Sequence, residues 1–176
     1  MDLRSVQELA LKQIADAFRD IQEANSPGGV PYRNTVKGVN LFMSDLTSEP
    51  YPRIDIGALP EVFTVEDNST RKIWSVSIPI QAFGFIRPEG LPESETPYYD
   101  AGMSLKHDMI RVVLAMASPS MQSETNRWIV DLDVPIRAFA GIEYEKNKPS
   151  LGSAFISFGI RIIAKASTLM PETPNL

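Results

Sequence analysis

The stretch that decides the fold is Ile78–Ile86, IPIQAFGFI, which lies in the longer segment 74–86. Apolar and polar residues alternate along this segment, and a period of two is typical of a β-strand with one buried face. The predicted buried face holds every second residue, from Trp74 through Ile78 to Ile86. A close copy, VPIRAFAGI, returns at Val134–Ile142 within a second predicted long strand over 128–144. The chain thus contains the same unusual strand pattern twice.

Each copy carries a proline, Pro79 or Pro135, in the middle of its strand. Proline lacks a backbone N–H and occurs in sheets almost only at edges or bulges. A strand of about 15 residues extends roughly 50 Å, which is more than a small core needs. We therefore expect both ribbons to project and to bury apolar residues against another subunit, and the predicted interface residues are Pro79, Phe83, Phe85, Pro135, Phe139 and Ile142. In the alternative, the strands bend at the prolines and close one compact, barrel-like sheet.

The rest of the sequence predicts an α+β fold. Apolar residues at helical spacing predict amphipathic helices over 3–24 and over 100–117, the second with Asp100 as its N-cap. Short extended pieces fill 36–66, a turn at 66–70 predicts a hairpin, and a third long strand has its inner face at Ala154, Ile156, Phe158, Ile160 and Ile162. We predict a twisted, mostly antiparallel sheet with two amphipathic helices packed on one face and long protruding hairpin strands. Residues 1–167 form a single predicted domain, and 168–176 form a tail that is flexible or ordered by a partner.

The sequence offers no constellation that supports an enzyme. There is no cysteine and a single histidine, His107, whose helical position beside Asp108 is typical of a surface or packing residue. Asp131 and Asp133 share one strand face, which suits either a bound cation or, as we expect, a solvated face. The glycines form no phosphate-binding motif. We predict no catalytic residues, no cofactor and no metal, and we expect Trp74 and Trp128 to anchor the core.

Charge and hydropathy restrict the partners. The formal net charge is −5, whereas proteins that grip nucleic acid backbones usually carry a basic excess. An acidic protein can still stand beside DNA that slides past it. The longest apolar run, Ile129–Ile142, is interrupted by Asp131, Asp133 and Arg137, so no membrane span is expected. The N-terminal segment has no uninterrupted apolar core and is not expected to be a signal peptide.

The order of these segments resembles the tail terminator (tail completion) proteins of long-tailed bacteriophages. The resemblance lies in the opening helix LRSVQELALKQIADAF, the edge piece YPRIDIGAL, the long strand WSVSIPIQAF, the helix LKHDMIRVVLAM and the closing pair that ends in SFGIRIIAKA. The resemblance covers most of the chain. It lies in the order of the segments and in their residue patterns, because the family has no sharp sequence signature. The Pro- and Glu-rich loop over 87–99 and the two ribbons are additions to the smallest members of the family.

The resemblance implies a structural virion protein without enzymatic activity. Its members form a ring, commonly of six identical subunits, that caps the tail tube, ends tail polymerisation and joins the tail to the neck. Implied partners are further copies of the chain, the tail tube protein, the neck or head-completion protein, the sheath where one is present, and genomic DNA that passes through without specific binding. The implied location is the tail–neck junction of the virion, after assembly in the host cytoplasm. Two alternatives remain open: another neck, tube or baseplate protein, and a small-ligand-binding α+β module.

Overall fold

The computed structural model describes residues 3–41, 50–59, 62–66, 73–90, 92–118 and 128–165. These residues form two α-helices and seven strands in the order α1 (Leu3–Arg19), β1 (Gly38–Leu41), β2 (Arg53–Ala58), β3 (Val62–Glu66), β4 (Ile73–Ile86), α2 (Thr96–Met116), β5 (Trp128–Asp131), β6 (Arg137–Glu145) and β7 (Lys148–Lys165). The strands share one sheet of order β1–β2–β4–β7–β5, in which β3 also pairs with β4 and β6 with β7. The β1–β2 pair is parallel and the other described pairs are antiparallel. The predicted α+β class with a mostly antiparallel sheet is confirmed.

The centre of the sheet is the pair β4–β7. Its register runs without interruption from Ile73 opposite Lys165 to Ile86 opposite Gly152. The 14 residues of β4 span about 45 Å at roughly 3.3 Å each. The outer edge of β4 is shared by β2 and β3, and the outer edge of β7 is shared by β5 and β6. The first long strand was therefore predicted correctly, and so was the antiparallel pairing of β3 with β4.

The hydrophobic core lies between one face of this sheet and both helices. Alternate residues of the two central strands point into it, as the period of two requires, and Ile80, Ile156 and Ile160 are fully buried. The same cluster contains buried residues of α1, among them Ile14 and Phe18, and of α2, among them Leu105, Met109 and Val113. The predicted packing of two helices on one face is thus confirmed. We call the opposite face of the sheet the open face.

Two glycines let α2 lie directly on the sheet. A Cβ atom at Gly152 of β7 would stand 2.2 Å from the carbonyl oxygen of Tyr98, and one at Gly102 of α2 would stand 2.5 Å from that of Ser153. Real side chains do not tolerate such distances to backbone atoms, so glycine is required at both positions. This close approach fixes α2 over the hairpin formed by β6 and β7.

A buried carboxylate attaches the segment after α1 to α2. Asp108 is 1% exposed, and its Oδ2 accepts hydrogen bonds from the backbone N–H groups of Arg33 and Asn34, both at 3.0 Å, and from Nδ2 of Asn34 at 2.7 Å. Arg111, one turn further along α2, lies 4.7 Å from the ring centre of Tyr32. The α2 helix therefore binds the segment 32–34 through specific side-chain contacts. The sequence alone did not reveal this attachment.

Both helix boundaries differ from the prediction. The α1 helix ends at Arg19, although the apolar spacing predicts helix up to residue 24. The α2 helix begins at Thr96 rather than Asp100, because Pro97 occupies its first turn, where a proline has no N–H to leave unpaired. Asp100 is consequently an exposed residue within the helix and not its N-cap.

Pro79 lies inside β4 and does not interrupt its pairing with β7. Its carbonyl oxygen accepts the N–H of Leu59 at 2.9 Å, so its nitrogen also faces the edge of β4 shared by β2 and β3. That edge is interrupted here, since β2 ends at Ala58 and β3 begins at Val62. A residue without an N–H is therefore tolerated in a strand that is paired on both sides.

The second predicted ribbon, over 128–144, is not one strand, and that prediction was wrong. The β5 strand ends at Asp131, opposite Gly159, and β6 begins at Arg137, opposite Ser157. The intervening residues leave the sheet, and the detour is closed by hydrogen bonds from the N–H of Val134 to the carbonyl of Asp131 and from the N–H of Asp133 to its Oδ1, both at 3.2 Å. Pro135 lies in this detour, so the second copy is interrupted at its proline. The alternative of strands that bend at the prolines and close a barrel-like sheet is not found, because the described strands form an open sheet. Of the predicted turn at 66–70, Glu66 is the last residue of β3, and residues 67–70 lie outside the described residues, as does the predicted tail 168–176.

Candidate self-association surface

Three aromatic side chains form a row across the open face. Phe83 of β4 lies opposite Phe155 of β7, which lies opposite Phe139 of β6, so the row follows directly from the register. The ring centres of Phe83 and Phe155 are 4.9 Å apart with the planes inclined at 58°, and those of Phe155 and Phe139 are 4.7 Å apart and stacked at 25°. Both geometries are favourable arrangements of aromatic pairs. We call these three residues the aromatic row.

The aromatic row is accessible from outside the sheet. Phe139 is 58% exposed, and Phe83 and Phe155 are half-buried. Its neighbours on β7 along the open face, Ser153 and Ser157, are small and polar. Along β7 the row therefore stands as an apolar ridge between two polar positions, and exposed apolar groups of this kind are expected at a contact surface.

Phe85 does not belong to this accessible ridge. It is 3% exposed and packs with Tyr51 and Leu151 in a small second core on the open face, next to Phe83. The guanidinium of Arg53 stands 5.5 Å from its ring centre. Phe85 is thus covered by its own chain, which corrects its predicted placement at a contact with another subunit.

The other predicted interface residues are dispersed. Ile142 lies opposite Gly152, whose Cβ position points at α2, so Ile142 is on the helix side of the sheet and not beside Phe139. Pro79 is on the open face but is partly covered. Pro135 is exposed in the detour between β5 and β6. Of the six predicted residues, the structure brings Phe83 and Phe139 together into one surface.

Sequence reasoning missed Phe155, although a signal was present. The alternation that assigns Ala154 and Ile156 to the inner face puts Phe155 on the opposite face. It is the central member of the row and contacts both other rings. The signal that identifies it is a phenylalanine at an outward position of a strand, with serines two positions away on either side of it on the same face.

A charged cluster lies further along the open face. Nη2 of Arg161 donates to Oδ1 of Asp131 and to Oδ2 of Asp133, both at 2.7 Å, and its Nε donates to Oδ2 of Asp131 at 3.2 Å. Chiefly because of the hydrogen bond to Asp133, the pKa of Arg161 is raised above its ordinary value. Asp131 is buried, so the expectation of a solvated aspartate face was wrong for this residue. Both carboxylates are compensated by an arginine, and the described residues contain no group of three or more His, Cys, Asp or Glu side chains that could hold a metal ion.

Two cavities adjoin these features. The smaller has a volume of about 230 Å³. Its lining, as far as the described residues go, consists of one ionisable residue, Glu143, together with Phe83, Phe85, Phe139, Phe155, Ser153 and Ala154. The larger, of about 940 Å³, lies between residues 87–98 and the tip of the β6–β7 hairpin and has side chains of both charge signs. The tip is held by a hydrogen bond of 2.8 Å from the Tyr144 hydroxyl to Glu95, and this bond is the main reason that the pKa of Tyr144 is raised.

No protein-family model matches the chain, and no curated protein matches it significantly. None of the helices in the described ranges is both long enough and apolar enough to cross a membrane.

Proposed function

We propose that this chain is a structural virion protein, the tail terminator of a long-tailed bacteriophage. Copies of the chain form a ring, commonly of six, that caps the tail tube, ends its polymerisation and joins the tail to the neck while DNA passes through the lumen. The observation that carries the proposal is the aromatic row on the open face, because an exposed ridge of stacked rings is suited to contact with another protein surface. The order of the elements, which resembles that of the tail terminators, gives the surface its role.

The shape of the surface favours a protein partner over a small ligand. Ligand sites usually enclose about 300–1,000 Å³ and bury most of the ligand. The cavity beside the row has about 230 Å³, and the row itself is a ridge. The cavity of about 940 Å³ is of ligand size, but it shares no lining residue with the row. An exposed ridge of aromatic side chains is suited to the centre of a protein–protein interface, where aromatic residues are enriched.

The expected strength of the contact follows from the exposure of Phe139. A buried aromatic side chain removes about 150–250 Å² from water, and Phe139 still exposes 58% of its surface. Covering that surface removes roughly 115 Å², which at about 25 cal/mol per Å² corresponds to about 3 kcal/mol. Loss of this term would weaken a contact by about a hundredfold.

The acidic balance fits a ring that DNA must traverse. With a formal charge of −5 per chain, six copies carry a large negative charge, which opposes tight binding of phosphate backbones. A salt-dependent gel shift with double-stranded DNA should accordingly show little binding at physiological salt.

The decisive experiment compares Phe139→Ala with Leu114→Ala. Leu114 lies on α2 and is 55% exposed, so it matches Phe139 in exposure but lies outside the open face. Wild type and Leu114→Ala should form rings of tube width on purified tail tubes in negative-stain images, and Phe139→Ala should reduce ring occupancy about a hundredfold at limiting concentration. Equal ring formation by both variants would contradict the role of the aromatic row, and absence of rings from wild type would contradict the proposal itself.

A genetic experiment separates this role from that of another neck, tube or baseplate protein. If the chain is a tail terminator, phage that lack it should produce tails of abnormal, extended length. Tails of normal length that merely fail to join heads would assign the chain to the neck instead.

A further inference from the structure

The outer edge of β6 is open to another strand. Within the described part of the chain, the nine residues of β6 pair with β7 on one side and with no strand on the other. An open strand edge presents backbone N–H and C=O groups that readily pair with another chain. Because the aromatic row lies beside this edge, a strand added here would also cover apolar surface.

The sequence of this edge is complementary to itself when read in the opposite direction. Centred on Ala140, the segment Arg137–Glu143 (RAFAGIE) sets arginine against glutamate, alanine against isoleucine and phenylalanine against glycine. We infer that two copies of the chain pair through their β6 edges, antiparallel, with Ala140 of each opposite Ala140 of the other. Such a contact has two-fold symmetry, which is the commonest symmetry of soluble homo-oligomers.

The charges agree with this register. Arg137 lies opposite Ser157 and Glu143 opposite Leu151, so both belong to the open face, and neither has an ion-pair partner among the described residues. In the pair, each arginine lies directly across from the glutamate of the other copy, where opposite charges are stabilising. The pair contains this contact twice.

The cavity beside the aromatic row adds a receptor for the incoming arginine. Four phenylalanines line it, and Glu143 is the one ionisable side chain among the described residues that line it. A guanidinium is attracted both by a carboxylate and by the faces of aromatic rings. In the two-fold register, Arg137 of the second copy lies opposite Glu143 and is the cation that would bind there.

Steric complementarity agrees with the charges. Phe139 of each copy would lie across from Gly141 of the other, and a large ring beside a glycine covers backbone that the glycine leaves bare. A register shifted by two residues would place Glu143 opposite Pro135 or opposite Phe139, which removes its pairing with Arg137. The charge pattern and the volume pattern therefore select the same register.

This pairing goes beyond the proposed ring and does not depend on it. A closed ring with cyclic symmetry uses head-to-tail contacts, whereas the β6 pair is head-to-head. The pair is the form of the free chain, in which the exposed edge is protected before the tail tube is encountered.

A cysteine cross-link tests the symmetry axis. The chain has no cysteine, so Ala140→Cys carries a single thiol, and directly opposed residues have Cβ atoms about 4.5–5.5 Å apart. With a short bis-maleimide linker, Ala140→Cys should form a covalent dimer in high yield, whereas Ala115→Cys, exposed on α2, should not. Equal cross-linking of the two variants, or none with Ala140→Cys, would overturn the inference.

Charge exchange tests the register. Arg137→Glu and Glu143→Arg should each raise the dimer dissociation constant about tenfold, because each creates two repulsive contacts. An equimolar mixture of the two variants should form heterodimers with the wild-type dissociation constant in mass photometry, and circular dichroism should show that both single variants are folded. A mixture no tighter than the separate variants would refute the two-fold pairing. Because this assay uses the free chain without tail tubes, its failure leaves ring formation intact and is distinguishable from failure of the proposed function.

Discussion

Replacement of Asp108 by alanine should remove the hydrogen bonds that attach the segment 32–34 to α2 and should measurably lower the free energy of unfolding. The carboxylate accepts three hydrogen bonds, two of them from the backbone N–H groups of Arg33 and Asn34. A hydrogen bond to a charged group contributes about 1.5–3 kcal/mol, and a buried donor left unpaired costs about 1–3 kcal/mol. These terms are not additive, and the exposed side of Arg33 admits water, so we expect a loss of about 4 kcal/mol in the free energy of unfolding.

Thermal unfolding followed by circular dichroism measures this loss. For a chain of this size each kcal/mol lowers Tm by roughly 2–4 °C, so the expected decrease is about 8–16 °C. Asp100→Ala is the matched control, because Asp100 is an exposed aspartate on the same helix and surface substitutions usually change stability by less than about 0.5 kcal/mol. Asp108→Asn retains an acceptor but not the charge and should fall between the two. A decrease for Asp108→Ala that does not exceed that of the control would show that the carboxylate does not attach the segment.

Three further outcomes are expected. Gly152→Ala should destabilise the fold by at least about 1–3 kcal/mol, because the new Cβ would overlap backbone of α2. Gly57→Ala is the control, since its Cβ would meet no atom within 4 Å, and it should not destabilise the fold. Denaturant unfolding measures the stability of both variants. Arg161→Met leaves the buried carboxylate of Asp131 without its arginine and, since Arg161 is partly exposed, should cost about 2 kcal/mol in the same assay. Burial raises the pKa of Tyr32 above its ordinary value of 10.0, so the stability due to the neutral phenol is present below pH 10 and is lost as the pH rises through the folded-state pKa. Wild type should therefore lose more stability than Tyr32→Phe between about pH 9 and 11, and parallel curves would contradict this.

The two copies of the strand pattern show how far the sequence determines the fold. Period-two alternation correctly predicted β4 and the inner face of β7, because burial on one face imposes that pattern whatever the neighbours are. It did not distinguish Pro79 from Pro135. Pro79 is tolerated because its nitrogen faces the interruption between β2 and β3, and Pro135 occupies a detour that is stabilised by Asp131. Both circumstances depend on residues outside the copied pattern.

The candidate surface was predictable in part for a similar reason. Phe83 and Phe139 were predicted to make a contact, and alternation alone would have added Phe155. Whether Phe85 is free or covered depends on Tyr51 and Leu151, which reach it from distant parts of the chain. Strand periodicity gives the face on which a residue lies but not what lies above that face.

The exposure of the aromatic row is not a by-product of a poorly specified sheet. A slip of β7 by one residue would turn Phe155 inward, but it would also turn Ile156 and Phe158, which are fully buried or nearly so, out into water. Losing the burial of two such side chains costs about 3–6 kcal/mol, which is comparable to the whole stability of many domains. The helix-side core therefore fixes the register that holds Phe83, Phe155 and Phe139 in contact on the opposite face. A surface held so firmly keeps its shape in the free chain, and a partner can bind it without a large entropic cost of ordering.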